Sequence, residues 1–504
     1  MRCATIVPVP TYHVQNFGCR ATQADGAALE RQFQSRGLNP ASADQANLVI
    51  LNSCTVTEAA DRDARAAVRR VRRENPTARI VVTGCYAQRA PEEVAGLRGV
   101  SWVIGNSHKD MLAEIVLDEV SPLREAWVPL SSLTGAIALP GPDAESAAGD
   151  GGTRIFVSDI FAHTELLAAP VFEITNSESG NGAYARERTR PNLKVQDGCD
   201  NRCSFCVIPS VRGHSRSLPL DQIIGEVNTL VEVGYREVVV SGINLGRWGR
   251  DLHPGSGLSA SGVGTIESAL DFSQPEARGP EPVFEDLVRA ILCETQLEKL
   301  RISSVEPMDW SDELIGLVAS SPRIAKHAHV PLQSGSDTVL RSMHRKYRPW
   351  HYREKIKKIR DAMPDAAIGA DVMTGFPGES EDEFEATRRL IEDLPFTYLH
   401  VFTYSARPGT PAAEMPDQVP AQAARERNKV LRELAAQKKL AFMQSFAGKT
   451  LAAITLSAQH GEFTEALTDN YQKLYLRGHH EANRWITARV EGVEGGALVG
   501  SLES

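Results

Sequence analysis

The sequence predicts an α/β protein built from three successive folded parts, and three observations predict it. Short β-branched runs alternate with charged helical segments up to about residue 420, the rhythm of parallel strands. Two stretches rich in Gly, Ala, Ser and Pro, 134–185 and 249–282, interrupt that rhythm. From residue 447 onward the pattern turns to short alternating strands. We therefore expect a Rossmann-like α/β domain over 1–133, a linker or insertion over 134–185 and a partial (β/α) barrel over 186–420. A helical connector over 421–446 and a small β-barrel over 447–504 follow.

Length and composition agree with this division. At 504 residues the chain exceeds one ordinary core. Its 42% hydrophobic content, 24% charged content and net charge of −9 describe a globular chain, and no apolar run approaches a membrane span. The N-terminus, MRCATIVPVPTYHVQ, lacks the long apolar stretch of a secretory signal, so a cytoplasmic protein with no membrane partner is expected. Eight cysteines are too few for a disulfide scaffold in such a chain, which leaves ligands, catalysts or buried small hydrophobes.

In the first domain, ANLVILNSC (46–54) and RIVVTGC (79–85) are strands that each end in a cysteine, with a helical stretch between them. Sites in open α/β sheets gather beyond the carboxyl ends of the strands, so Cys54 and Cys85 should share one edge, and Cys19 in NFGCR suits the same edge. Three packed cysteines are the plainer alternative. The linker contains short strands near TRIFVSDIF, and 249–282 reads as a flexible insertion.

The barrel strands begin at NLKVQ and continue through EVVVSG, LRISS, HAHVPLQ, AIGADVMTGFP and YLHVFTYS. The loop after the first carries DGCDNRCSFCVIPSVRG (197–213), three cysteines in eight positions at a barrel top, where barrel enzymes hold their chemistry. Three thiolates leave one iron of a cubane cluster without a protein ligand. A zinc site completed by a residue such as His214 competes with that reading. Arg212 and Arg216 suit a phosphate near this loop, or a carboxylate such as Asp197. Cys3 and Cys293 fall outside both trios.

CDNRCSFC resembles the CxxxCxxC signature of the radical S-adenosylmethionine (SAM) superfamily, and QDGCDNRCSFCVIPSVRGHSRS resembles its methylthiotransferase branch. With NSCTVT and TGCYAQ, the resemblance covers nearly the whole chain, including a C-terminal TRAM-like RNA-binding domain. It departs from the family at Thr22, where an Asn is common. The resemblance implies two 4Fe-4S clusters, one on Cys199, Cys203 and Cys206 that cleaves SAM to a 5'-deoxyadenosyl radical, the other on Cys19, Cys54 and Cys85 that carries sulfur. No catalytic residue beyond these ligands is implied.

Strand ends beyond the cluster loop supply cofactor-binding candidates: Ser241 and Gly242, Ser304 and Glu306, Gln333 and Ser334, and Asp371 and Gly375. Polar residues at barrel tops equally serve the loops themselves. The resemblance puts Ser241–Gly242 beside the methionine part of SAM. RSMHRKYRPWHYREKIKKIR (341–360) holds nine Lys or Arg against one Glu, with aromatics between, which suits RNA phosphates and splayed bases. Arg345, Lys346, Tyr347 and Arg348 are the RNA-binding candidates there, with Tyr471 in the NY position of the TRAM-like tail. A second basic run, 61–75, lies between the first two cysteine strands, and a solvated helix face is the alternative for both runs.

The tags CTVT, TGCYAQ and RGHSRS most resemble the branch that acts on threonylcarbamoyladenosine beside the tRNA anticodon. That branch implies a tRNA anticodon stem-loop as partner, a reducing electron donor and a sulfur source. The alternatives are isopentenyladenosine in tRNA, an aspartate of a ribosomal protein, or a metal-stabilised RNA-binding module without catalysis.

Overall fold

The computed structural model describes residues 10–120, 152–163, 166–167, 189–252 and 282–503. Cys3, most of the 134–185 linker and nearly all of the 249–282 insertion lie outside the described residues. The chain divides into two compact units, 1–169 with 210–213, and 170–209 with 214–504.

The first unit is a six-stranded parallel sheet. Its strands are β1 (Thr11–Asn16), β2 (Asn39–Pro40), β3 (Leu48–Ser53), β4 (Arg79–Gly84), β5 (Val100–Ile104) and β6 (Arg154–Phe156), in the order β2-β1-β3-β4-β5-β6. β6, from the stretch read as linker, pairs with β5 and completes the sheet. Helices cover both faces, which is why β3 and β4 read as continuous apolar runs. Within the doubly wound class this order is the flavodoxin type, whose ligand crevice opens between β1 and β3. Helix α1 (Arg20–Ser35) follows β1 and packs Leu29 and Phe33 on one face. Helix α2 (Glu58–Glu74) packs Ala64, Ala67, Val68 and Val71 on the other. Thr57 caps α2, with Glu58 and Asp61 in its first turn and Arg72 and Arg73 in its last, each complementing the helix dipole.

The second unit holds parallel strands β7 (Asn192–Asp197), β9 (Glu237–Gly242), β10 (Lys299–Ile302), β11 (His327–His329), β12 (Ala367–Thr374) and β13 (Tyr398–Thr403). β8 (Arg216–Ser217) pairs antiparallel with β7 at the edge. Sheet β10-β9-β7-β8 meets sheet β11-β12-β13 through a bridge between Ser304 and His329. Six strands in the order β7-β9-β10-β11-β12-β13 make a partial (β/α) barrel. The helix Ala421–Gln444 leads to a closed barrel of β14 (Thr450–His460), β15 (Phe463–Thr468), β16 (Lys473–Arg477), β17 (Trp485–Glu494) and β18 (Ala497–Leu502). Its core gathers Leu474, Leu476, Val490 and Leu498 with Met443 from the end of that helix and Phe446 just beyond it.

Candidate active site

In the first unit, register brings three cysteines to one edge. Asn16 pairs with Asn52, Asn52 with Thr83, and Ser53 with Gly84, so adjacent strands end in step. Cys19 follows β1 as the residue preceding α1, Cys54 follows β3, and Cys85 opens the short helix α3 (Cys85–Arg89) after β4. Gly18, at φ +98°, allows the tight approach, since a Cβ there would sit 2.5 Å from the Cys54 Cβ.

Burial pushes the Cys54 thiol up to about 12, and the neighbouring Cys85 and Cys19 push the same way. The Val56 amide donates to Cys54 Sγ at 3.5 Å, and the Asn106 amide group donates to Cys85 Sγ at 3.5 Å. Thr22 stands 3.5 Å from Cys19 Sγ through its hydroxyl, so the residue that departs from the family pattern still contacts the cysteine.

Beside these thiols lies a buried polar network that the sequence did not disclose, because its members are far apart in the chain. Asp25 accepts from Lys109 Nζ at 3.0 Å and from Arg212 Nη2 at 3.0 Å, and Lys109 also donates to Asn52 Oδ1 at 3.2 Å. All three charged side chains are at most 4% exposed. Burial lowers the Lys109 pKa, which Asp25 opposes, and Arg212 favours the thiolate of Cys54. Arg212 thus pairs with Asp25, and Asp197 takes Lys194 Nζ at 2.7 Å.

In the second unit, Asp197 and Gln196 build the other cysteine loop. Asp197 Oδ1 accepts from the Gly198 amide at 2.8 Å. Gln196 donates to the carbonyls of Asp197 and Gly198 and accepts from the Asn244 amide at 2.7 Å, which ties the loop to the end of β9. Gly242 is glycine partly for this reason, since a Cβ there would lie 2.9 Å from Gln196 Oε1.

The loop then presents Cys199, Cys203 and Cys206, with the Cys206 amide bonded to the Cys203 carbonyl at 3.1 Å. Burial raises Cys199, and it pushes Cys206 up to about 12. Donors reach the sulfurs: the Asn201 amide to Cys199 at 3.4 Å, Asn244 Nδ2 to Cys199 at 3.7 Å, and Arg345 Nη1 to Cys203 at 3.3 Å. His214 instead pairs with Asp200 at 2.7 Å on the surface.

Both trios suit a thiolate-ligated cluster by donor chemistry: soft sulfurs grouped after strand ends, with N–H groups aimed at them. Around the barrel trio, Ser241 Oγ, Asn244 Oδ1 and Gln333 Oε1 are buried without a hydrogen-bond partner among the described residues. These orphan atoms fit a ligand rich in polar groups, such as SAM. A cleft beside Cys203 is lined by Asn201, Arg247, Glu306, Asp309 and Lys346.

The remaining candidates separate by burial. Gln333 holds φ +65° and is clamped by the backbone of β12, its amide bonded to the Asp371 carbonyl. Ser304 and Asp371 come together around His329. Ser334 is fully buried against Thr387, 3.1 Å away, and braces the helix Glu381–Asp393. Gly375 is committed to packing, its missing Cβ leaving 2.4 Å to that of Ala424.

Of the RNA-binding candidates, only Lys346 is exposed. Tyr347 is buried and donates to the Leu332 carbonyl at 2.8 Å, which withdraws it from stacking on a base. Arg345 is equally buried, paired with Glu306 beside Cys203. Arg348 is half-buried and braces the loop through the carbonyls of Arg345 and Tyr347 and through Asp337. Tyr471 packs its ring on His327 at 4.6 Å and under Arg301, which fastens the C-terminal barrel to β10 and β11. Trp350, which we did not single out from sequence, is the exposed aromatic of the run at 56%. Its neighbours Tyr352, Ile356 and Ile359 form the buried face of the helix Pro349–Ala362, and that spacing leaves Trp350 off the face. In the 61–75 run, Arg65 pairs with Glu93 and Arg70 donates to Gln15, while Arg62, Arg69 and Arg72 are exposed.

Residues 11–105 match the uncharacterized protein family UPF0004, and residues 193–391 match the radical SAM superfamily. The threonylcarbamoyladenosine tRNA methylthiotransferase MtaB of Aquifex aeolicus (strain VF5) is 32% identical over 94% of this chain and 98% of its own length. The tRNA-2-methylthio-N(6)-dimethylallyladenosine synthase of Acidothermus cellulolyticus (strain ATCC 43068 / DSM 8971 / 11B) is 30% identical over 89% of this chain and 78% of its own. Among solved structures, the radical SAM methyltransferase TsrM from Kitasatospora setae, with tryptophan substrate and a SAM analogue bound, aligns with a TM-score of 0.50. That alignment covers 81% of this chain and 75% of the other at 15% identity, a likeness of fold alone.

Proposed function

Because the chain belongs to the radical SAM methylthiotransferases, in the threonylcarbamoyladenosine tRNA methylthiotransferase branch, we propose that it inserts a methylthio group at C2 of threonylcarbamoyladenosine beside the tRNA anticodon. The observation that supports this most is the second cysteine trio. A radical SAM enzyme needs one cluster, and a further three thiols at the carboxyl edge of the N-terminal sheet suit a sulfur-carrying one.

In this reading, Cys199, Cys203 and Cys206 hold the first 4Fe-4S cluster and Cys19, Cys54 and Cys85 the second. When bound, the clusters and SAM supply the electron, the hydrogen-abstracting radical, the sulfur and the methyl group. The chain's own part is positioning. Gln196 and Asp197 fix the loop that carries one trio, and Asn244, Asn201 and Arg345 donate to its sulfurs. Ser241, Asn244 and Gln333 offer unpaired polar atoms to SAM, with Glu306 on the cleft beside Cys203. Lys346 and Trp350 meet the anticodon stem-loop. The reaction requires a reducing electron donor and a sulfur source, and the cytoplasm, which holds tRNA, suits it.

Mass spectrometry of tRNA nucleosides from a strain lacking the protein tests the reading. Loss of the methylthio mark from threonylcarbamoyladenosine alone is the expected result. Loss from isopentenyladenosine would overturn the choice of base, and an unchanged nucleoside profile would overturn the tRNA reading. Reconstituted protein should carry about eight irons. About four would overturn the second cluster.

A further inference from the structure

Three side chains of the partial barrel converge outside both cysteine trios. His329 ends β11, Asp371 lies within β12, and His400 lies within β13, with Asp371 and His400 in register as direct neighbours. Among the described residues, their ligand atoms form the group of His, Cys, Asp and Glu that lies within 4.8 Å of one another. Asp371 Oδ1 is 3.4 Å from His329 Nε2 and 3.2 Å from His400 Nδ1. Adjacent ligands of a divalent ion, each about 2.0–2.2 Å from the metal, stand roughly 2.9–3.5 Å apart at octahedral or tetrahedral angles. Both spacings fall in that range.

The surroundings prepare the ligands. Ser304 Oγ lies 2.7 Å from His329 Nδ1, and accepting that N–H leaves the Nε2 lone pair directed at Asp371. His329 is only 5% exposed, and its Nε2 has no hydrogen-bond partner among the described residues, a cost that a buried imidazole nitrogen bears unless a ligand meets it. The His400 side chain is 63% exposed, so an ion has a route from solvent.

We propose that His329, Asp371 and His400 bind a divalent first-row metal ion such as Zn(II), Fe(II) or Mn(II). Two imidazoles and one carboxylate are the borderline donor set these ions take, and three protein ligands leave open positions for water or a further ligand. The ion is separate from the iron of the clusters, because no thiol takes part.

The test uses cluster-loaded protein without SAM, dialysed to equilibrium against Zn(II) and, separately, Mn(II), and then analysed for total metal. Mn(II) is included because soft thiolates compete poorly for it. One equivalent above the iron is expected, lost in Asp371→Asn and in His400→Gln. Ser304→Ala should weaken binding by about 10- to 100-fold, as removal of an outer hydrogen bond does at other metal sites. His400 is exposed, so His400→Gln leaves the fold intact, and an unchanged thermal midpoint checks this. No equivalent above the iron for either ion, or an equivalent that survives both Asp371→Asn and His400→Gln, would overturn the site and leave a hydrogen-bonded His-Asp-His row. Neither outcome bears on methylthio transfer.

Discussion

The guanidinium of Arg345 lies 3.3 Å from the sulfur of Cys203 and pairs on its other side with Glu306. An N–H bond to a cluster sulfur and a nearby cation both stabilise the reduced, more negative state of a cluster. With Cys203 as a ligand of the barrel cluster, as proposed, Arg345→Gln should therefore shift its midpoint potential to more negative values and slow 5'-deoxyadenosine release, with iron content kept. Arg345→Lys, which keeps the charge and loses the planar fork, should recover part of the shift. A redox titration followed by electron paramagnetic resonance checks it. An unmoved potential would return Arg345 to a purely structural role.

The basic run shows what sequence could and could not disclose. Its charge was plain, but burial alternates from Met343 to Tyr347 while the residues there, MHRKY, do not alternate apolar and polar, and His344 at φ +56° turns the chain sharply, so the sequence could not say which residues point inward. Arg345 and Tyr347 were read as RNA contacts and are buried. Helical spacing, by contrast, was present from Trp350 onward and would have singled out that indole. The cysteine trios were legible because strand ends and the carboxyl-edge rule locate them. The Asp25–Lys109–Arg212 network was not, since only the fold brings residues 25, 109 and 212 together. Alternation in HAH, GAD and YLH puts His329, Asp371 and His400 on shared faces, a pattern the sequence itself carries.

On the proposed two-cluster reading, Gly18→Ala should remove the cluster on Cys19, Cys54 and Cys85 selectively. The new methyl would meet the Cys54 Cβ at 2.5 Å, in a backbone conformation at φ +98° that L side chains rarely adopt. Reconstituted protein should fall from about eight irons to about four, still cleave SAM, and make no methylthio product. Full iron loading in the variant would show that the Cys19 loop can shift without losing its ligand geometry.

Asp25→Asn should destabilise the first unit. It leaves Lys109 and Arg212 buried without their shared carboxylate, and breaking a buried ion pair on one side costs about 3–5 kcal/mol. A lowered denaturation midpoint is expected. An unchanged midpoint would mean that water reaches the network.

Burial raises the thiols of Cys54 and Cys206 from an ordinary value near 9 to about 12. Across that interval the folded cluster-free chain keeps protons that the unfolded chain has released. Its stability is thus fully present below about 9 and falls as pH rises through about 9 to about 12. On the proposed reading the same thiolates are ligands in cluster-loaded protein, and no such loss is expected there. Thermal melts of both forms at pH 8 and pH 10 should show a drop in the cluster-free form that the loaded form lacks.

Trp350 and Lys346 should carry RNA affinity that Tyr347 does not. An exposed indole stacks on a base for about 1–3 kcal/mol, so Trp350→Ala should weaken tRNA binding by roughly 5- to 150-fold. Lys346 is exposed beside Asn201 and Arg247 on the clefts next to the cluster loop. If it meets one phosphate, Lys346→Ala should reduce the slope of log affinity against log salt by about 0.9. Tyr347→Phe deletes hydroxyl bonds to the carbonyls of Pro331 and Leu332, so it should cost about 1 kcal/mol of stability and leave tRNA affinity unchanged. Filter binding across a salt series separates the three. A Tyr347→Phe variant that lost RNA affinity while keeping its stability would mean that the loop opens on binding and exposes the ring.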